Sequence, residues 1–220
     1  AGFIILFSVI FILFLRHFKD PKYRKVSVLK TVKVFIKDKN ISKIYFIAFI
    51  LRFFFAWMII YTPIYLHTYM NFGWEKIGVI FSIMLLPFVF LEFPLGKLSD
   101  RIGERKMLSA GFLISAIFTL LIPFVSEPKL FLWAGILFMT RIGAATIEVM
   151  SESYFFKSVR EEDDDEISFF RNTMPLSFIV APLVAIPILM FVPSFKYLFV
   201  VLSAIFLAGA FLALRLRDVK

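Results

Sequence analysis

Apolar residues in this chain fall into long blocks separated by short polar stretches. Six blocks are long: residues 44–69, 77–95, 107–125, 130–155, 167–191 and 197–214. A helix rising about 1.5 Å per residue needs roughly 18–20 apolar residues to cross a hydrocarbon core of about 30 Å, so each block predicts a membrane-spanning helix. A seventh block, residues 2–15, is too short to span. Between it and the first long block lies a polar stretch, residues 16–43. Within that stretch Val28/Leu29, Val32 and Phe35/Ile36 recur at helical spacing among Lys30, Lys33, Lys37 and Lys39. That pattern predicts a basic amphipathic helix lying on an anionic membrane face, with anionic lipids as its partner.

Composition agrees with the block pattern. Hydrophobic residues make up 60% of the chain and 31 positions are Phe, more apolar surface than a water-facing domain can hide. The fold class predicted is an all-α membrane protein, a six-helix transmembrane bundle preceded by a partial helix and a linker. There is no cysteine, which excludes disulfides, thiolate metal sites and a cysteine nucleophile. The two histidines, His17 and His67, are not spaced for a metal or a haem, so no metal or other cofactor is expected. No nucleic-acid partner is expected either, because the net charge of +9 has a topological explanation. With residues 16–43 inside, twenty Lys and Arg fall in inside segments, and three (Lys76, Lys129, Lys196) fall outside. Such a bias orients membrane helices and supports six spans. The acidic run 161–166 counts for little in that rule. Its solvated carboxylates favour the start of the next helix.

The stretch after the second long block reads Gly96-Lys97-Leu98-Ser99-Asp100-Arg101-Ile102-Gly103-Glu104-Arg105-Lys106. It resembles the signature loop of the major facilitator superfamily of transporters. Gly96, Leu98, Asp100, Arg101, Gly103 and Arg105 match, Ser99 supplies the small residue, and Glu104 places an acid where the family usually carries a base. Two glycines let a chain reverse within a few residues. A carboxylate at a membrane face can pair with a base or with the N-terminal end of a helix. The resemblance implies that Asp100 is a latch acid steadying one state of the carrier, with Arg101 and Arg105 as its structuring cations. It also implies a division of the chain. Residues 1–15 are the clipped end of a sixth helix, 16–43 a cytoplasmic linker, 44–214 the second six-helix half and 215–220 a cytoplasmic tail. The first half of the same transporter is then a missing partner. The implied function is secondary active transport of a small solute by alternating access, coupled to an ion or proton, in the plasma membrane, and not an enzyme. The rival reading is a polytopic receptor, scaffold or membrane enzyme, which leaves the signature stretch unexplained.

Ionisable residues within the blocks are costly in lipid and mark a bundle interior or a wet cavity. The first block carries Arg52, the second Glu92, and the fourth Arg141 and Glu148, with Glu152 near its inner end; the third and sixth carry none. In the family the first, second, fourth and fifth helices of a half line the cavity, so the charges fall where the resemblance implies. Arg141, Glu148 and Glu152, at i, i+7 and i+11, share one helix face to within roughly 40°. Arg52, Glu92, Arg141 and Glu148 are therefore the candidates for substrate binding or coupling. Structural pairing is the alternative role, with Arg52–Glu92 one pair that depth allows. Phe53–Phe55 read as lipid-facing or packing surface, and Pro182 and Pro187 as bends in the fifth helix.

Overall fold

The computed structural model describes residue 11, residues 28–159 and residues 164–217. The short block 2–15 (residue 11 apart), the first part of the linker, His17 and residues 160–163 of the acidic loop lie outside the described residues. The chain enters through α1 (Val28–Lys37) and continues into α2 (Lys39–Thr68) and α3 (Trp74–Ile102). Then come α4 (Glu104–Leu121), a 3-10 turn (Ile122–Phe124) and α5 (Leu130–Ser158). It ends with α6 (Asp164–Arg171), α7 (Thr173–Phe191) and α8 (Tyr197–Leu214). Six segments are long and apolar enough to cross a membrane, α6 and α7 together forming the fifth. The six expected spans are all present.

Boundaries moved where helix outruns hydrophobicity. α2 begins five residues before its apolar block, capped by Asp38, whose carboxylate accepts from the backbone N–H groups of Asn40 (2.8 Å) and Ile41 (3.2 Å). The fifth span breaks at Asn172, between α6 and α7. Pro182 and Pro187 sit inside α7.

α4 packs against α5 on one side and α8 on the other, α3 packs on α5, and α2 on α7. The α4–α5 crossing is the closest approach. A Cβ added at Gly111 would lie 2.8 Å from the Gly143 carbonyl oxygen, and one at Gly143 would collide with that of Gly111 and with Ser115. Ser115 donates across the crossing to the Thr140 carbonyl (2.9 Å), and Ser203 of α8 donates to the Ala116 carbonyl (2.8 Å). Without a hydrophobic drive between helices in lipid, such small-residue contacts and hydroxyl bonds hold the crossing.

At one end of the bundle His67 donates from Nδ1 to the Phe72 carbonyl (2.9 Å) and stacks on Trp74, closing the α2–α3 turn. The other end is basic. There Lys43 donates to the Arg215 carbonyl (2.6 Å) and Tyr154 to the Arg217 carbonyl (2.7 Å), satisfying carbonyls beyond the last turn of α8.

The linker helix forms as expected, yet its apolar anchor meets protein. Phe35 is buried against the rings of Tyr45, Phe155 and Phe169, the last at 4.7 Å between centroids. Ile36, expected beside it, is exposed with Lys33 and Lys37. The rotation follows from spacing: Thr31 and Phe35, one turn apart, share the docked face. Removing a buried Phe costs about 3 kcal/mol. In Phe35→Ala the loss falls on α1 alone, so tryptic cleavage at Lys33 and Lys37 should accelerate at least ~10-fold while the bundle's melting temperature barely moves. Cleavage at the wild-type rate would show that Phe35 does not hold α1 down.

Candidate functional site

The signature stretch is mostly helix. α3 runs through Gly96, Lys97, Leu98, Ser99, Asp100 and Arg101 to Ile102, and the chain turns only at Gly103. Of the two glycines expected to reverse the chain, one does. Gly103 has φ +90°, a conformation that side chains rarely adopt, and its N–H bonds the Ser99 carbonyl at 2.8 Å. Gly96 stays helical because a single glycine inside a helix costs only about 1 kcal/mol, and Ser99 Oγ donates to its carbonyl at 2.7 Å. Leu98, Asp100 and Arg101 are exposed, and Arg105 is half-buried. Asp100 makes no ion pair among the described residues.

The departing residue Glu104 has an internal partner. It opens α4, is buried, and forms an ion pair with the ammonium of Lys157 at the end of α5, with Ser153 Oγ at 3.5 Å. The pair ties α4 to α5 beside the Gly103 turn. In the sequence Lys157 is only an orienting charge; its contact with Glu104 depends on how α4 crosses α5.

Deeper in the bundle, Arg52 of α2 reaches α5. Its Nη1 is 2.6 Å from Glu148 and its Nη2 3.3 Å from Glu152. The expected Arg52–Glu92 pair does not form. Glu92 is exposed and has no ion-pair partner among the described residues; it lies one turn beyond Phe88 on α3, where it acts on Glu152 at longer range while Arg52 is held by α5. Glu148 and Glu152 share a face of α5 as their spacing requires, and α2 supplies the cation they meet.

That leaves Arg141, one residue of the same stripe, without a carboxylate. It is 2% exposed, and its Nε has no hydrogen-bond partner among the described residues. Its guanidinium carbon lies 5.3 Å from the Phe54 ring centroid and 5.2 Å from that of Phe55. Such cation–π contacts partly compensate a desolvated cation. The Phe53–Phe55 run therefore divides. Phe53 and Phe54 are packing residues, Phe54 lying against Phe206. Phe55 corrects the sequence reading, since its ring faces the guanidinium groups of both Arg52 and Arg141.

These side chains border two recesses. A chamber of about 300 Å³ is lined by Arg141, Glu148, Phe55, Met84 and Phe88 among others. A second recess of about 350 Å³ is lined by Glu152, Arg171, Phe156 and Thr173. Arg52 and Met174 line both. The ion-paired Arg52 thus stands at a neck between an apolar chamber and a more polar one. Among the described residues no cluster of His, Cys, Asp and Glu could hold a metal ion.

The family profile described as Major Facilitator Superfamily matches residues 75–220, well over half of the chain. The chain belongs to the major facilitator superfamily. No curated protein sequence matches it. With the family match, the six apolar helices are those of a multi-pass membrane transporter, and the bundle is the all-α half expected of that family. The match covers the Gly96–Lys106 stretch and α5 with Arg141, Glu148 and Glu152.

Proposed function

We propose that the chain is the second six-helix half of a secondary active carrier that moves a small solute by alternating access, coupled to protons. The observation that carries this is the Arg52–Glu148–Glu152 cluster at the neck between the two recesses. One cation held by two carboxylates is a two-position device. Protonating either carboxylate removes part of what holds the guanidinium, and Arg52 can then swing toward the other recess. Charge clusters buried between the helices of a carrier are where ion and solute movement are coupled.

A partner half completes the device. In this reading it covers the apolar faces left exposed on α3 (Val89, Phe90, Phe93) and α7 (Ile179, Leu183), closes the chamber, and supplies the group that Asp100 latches. The basic end of the bundle faces the cytoplasm of a plasma-membrane protein. There α1, with exposed Lys33 and Lys37, meets anionic lipid headgroups.

The test uses the full-length protein in proteoliposomes, a panel of radiolabelled sugars, amino acids and organic acids, and an imposed proton gradient. At least one solute should enter faster with the gradient. Glu148→Gln and Glu152→Gln should each cut gradient-driven uptake at least ~10-fold while leaving solute exchange at zero gradient intact. Glu92→Gln, which removes no ion pair to Arg52, should lower gradient-driven uptake less than either, since its carboxylate acts on Glu152 only at longer range. If both Gln variants keep wild-type gradient dependence, the coupling assignment is wrong. If no solute enters, the carrier reading is.

A further inference from the structure

The two deep arginines are not equivalent, and the difference bears on what the chamber binds. Arg52 is fully engaged by Glu148 and Glu152. Arg141 is more deeply buried, yet no carboxylate lies within ion-pair distance among the described residues and its Nε has no acceptor. A desolvated guanidinium carries five donors in a planar fork suited to an oxyanion. Here that fork lies against the rings of Phe54 and Phe55 and lines the chamber. The chamber therefore offers one cation with no carboxylate bonded to it, Glu148 attracting it only at longer range.

The rest of the wall restricts the remainder of the ligand. Phe81, Phe88, Phe178, Met84 and Met174 face the chamber together with Phe55. Aromatic rings and thioethers give broad contact to flat apolar bodies and no directional hydrogen bonds. A sugar brings several hydroxyls that this wall leaves unpaired. An amino-acid zwitterion needs a free carboxylate for its ammonium, and Glu148, the only carboxylate among the described residues lining the chamber, is held by Arg52. A lipophilic cation meets Arg141 as a like charge.

We infer that the chamber is built for a lipophilic organic monoanion, its carboxylate or equivalent oxyanion on Arg141 and its apolar, preferably aromatic, body among the Phe and Met side chains. This rests on the chamber being the solute site of the carrier proposed above. In this arrangement Arg141 binds and orients the solute, whereas Arg52 acts in coupling.

The test is binding to the purified full-length protein in detergent, which needs no transport. The probes are 2-naphthoate, its neutral counterpart 2-naphthylmethanol, tetraphenylphosphonium and glucose, each titrated calorimetrically. Naphthoate should bind at least ~10-fold tighter than the alcohol, and the cation and glucose should not bind. Arg141→Gln should abolish the preference for naphthoate over the alcohol, and Arg141→Lys should restore part of it. Where the Gln variant fails to fold, Phe88→Ala serves instead: it should weaken naphthoate at least ~5-fold while changing benzoate, which lacks the second ring, far less. No naphthoate binding, equal binding of acid and alcohol, preference for the cation, or a preference that survives Arg141→Gln each overturns the inference. Naphthoate bound through Arg141 but never carried into liposomes would leave this site standing and remove the transport reading. Uptake of a sugar or an amino acid without anion binding would do the reverse.

Discussion

Gly143→Leu should prevent α4 and α5 from meeting, and it is expected to be the most damaging single substitution in the bundle. Gly143 lies where the two backbones touch. A Cβ there would sit 2.8 Å from the Ser115 backbone N and closer still to the Gly111 carbonyl oxygen. Backbone cannot rotate out of the way as a flexible side chain can, so the helices must separate by more than an ångström. Separation breaks the Ser115–Thr140 bond (2.9 Å) and opens the packing that α4 provides to both α5 and α8. Overpacking a core costs about 1–3 kcal/mol where neighbours can shift. With backbone on both sides the loss should exceed about 4 kcal/mol, the range of the most destabilising single changes. Gly143→Ala, which adds that same Cβ against backbone, should already cost about 3 kcal/mol, the top of the overpacking range. Gly209→Ala, whose added carbon would first meet the Phe112 ring, should cost less because a ring can tilt. Gly135→Leu, with nothing within 4 Å, should be silent. Thermal melts of the four purified variants in detergent rank them directly. A Gly143→Leu protein melting like Gly135→Leu would mean that the crossing is not as close as described.

The six helices were legible because hydropathy over about 20 residues is a one-dimensional signal, set by the thickness of a bilayer. Helix ends were not, because a helix needs no apolar side chains to continue. Residues 96–102 include Lys97, Ser99, Asp100 and Arg101 and nonetheless extend α3, since each N–H still finds its carbonyl one turn back. The stripe of Glu148 and Glu152 was readable from spacing on one helix. Its partner was not, since that depends on which face of α2 turns toward α5. The Gly111 and Gly143 contact joins residues that only tertiary packing brings together. Phe55 was misassigned with Phe53 and Phe54 because a run of identical residues hides the roughly 100° turn between neighbours, which sends one ring to the chamber and another into the core.

Glu104→Lys should destabilise the bundle, and Lys157→Glu placed with it should restore most of the loss. Glu104 is the position where this chain departs from the signature pattern, so the family's usual base is the substitution that tests why. Glu104 is 7% exposed and its charge is met by Lys157. Replacing it by an ammonium sets two cations together at the junction of α4 and α5. Leaving a buried charge unpaired costs about 3–5 kcal/mol. Lys157 is about half exposed and can turn toward solvent, which puts the expected loss near the lower figure, about 3 kcal/mol. The exchanged pair, Glu104→Lys with Lys157→Glu, recreates the attraction with its sign reversed and should return to within about 1 kcal/mol of wild type, the remainder reflecting the Ser153 contact and the preference of a helix start for an acid. Lys157→Met alone should cost less than Glu104→Lys, because it leaves one unpaired charge and introduces no like pair. Added salt should narrow the gap between single and double variants, since part of the pair is open to solvent. A double variant no more stable than Glu104→Lys would mean that the two residues act independently. The acid in the signature stretch would then need another explanation than an exchanged partner one helix away.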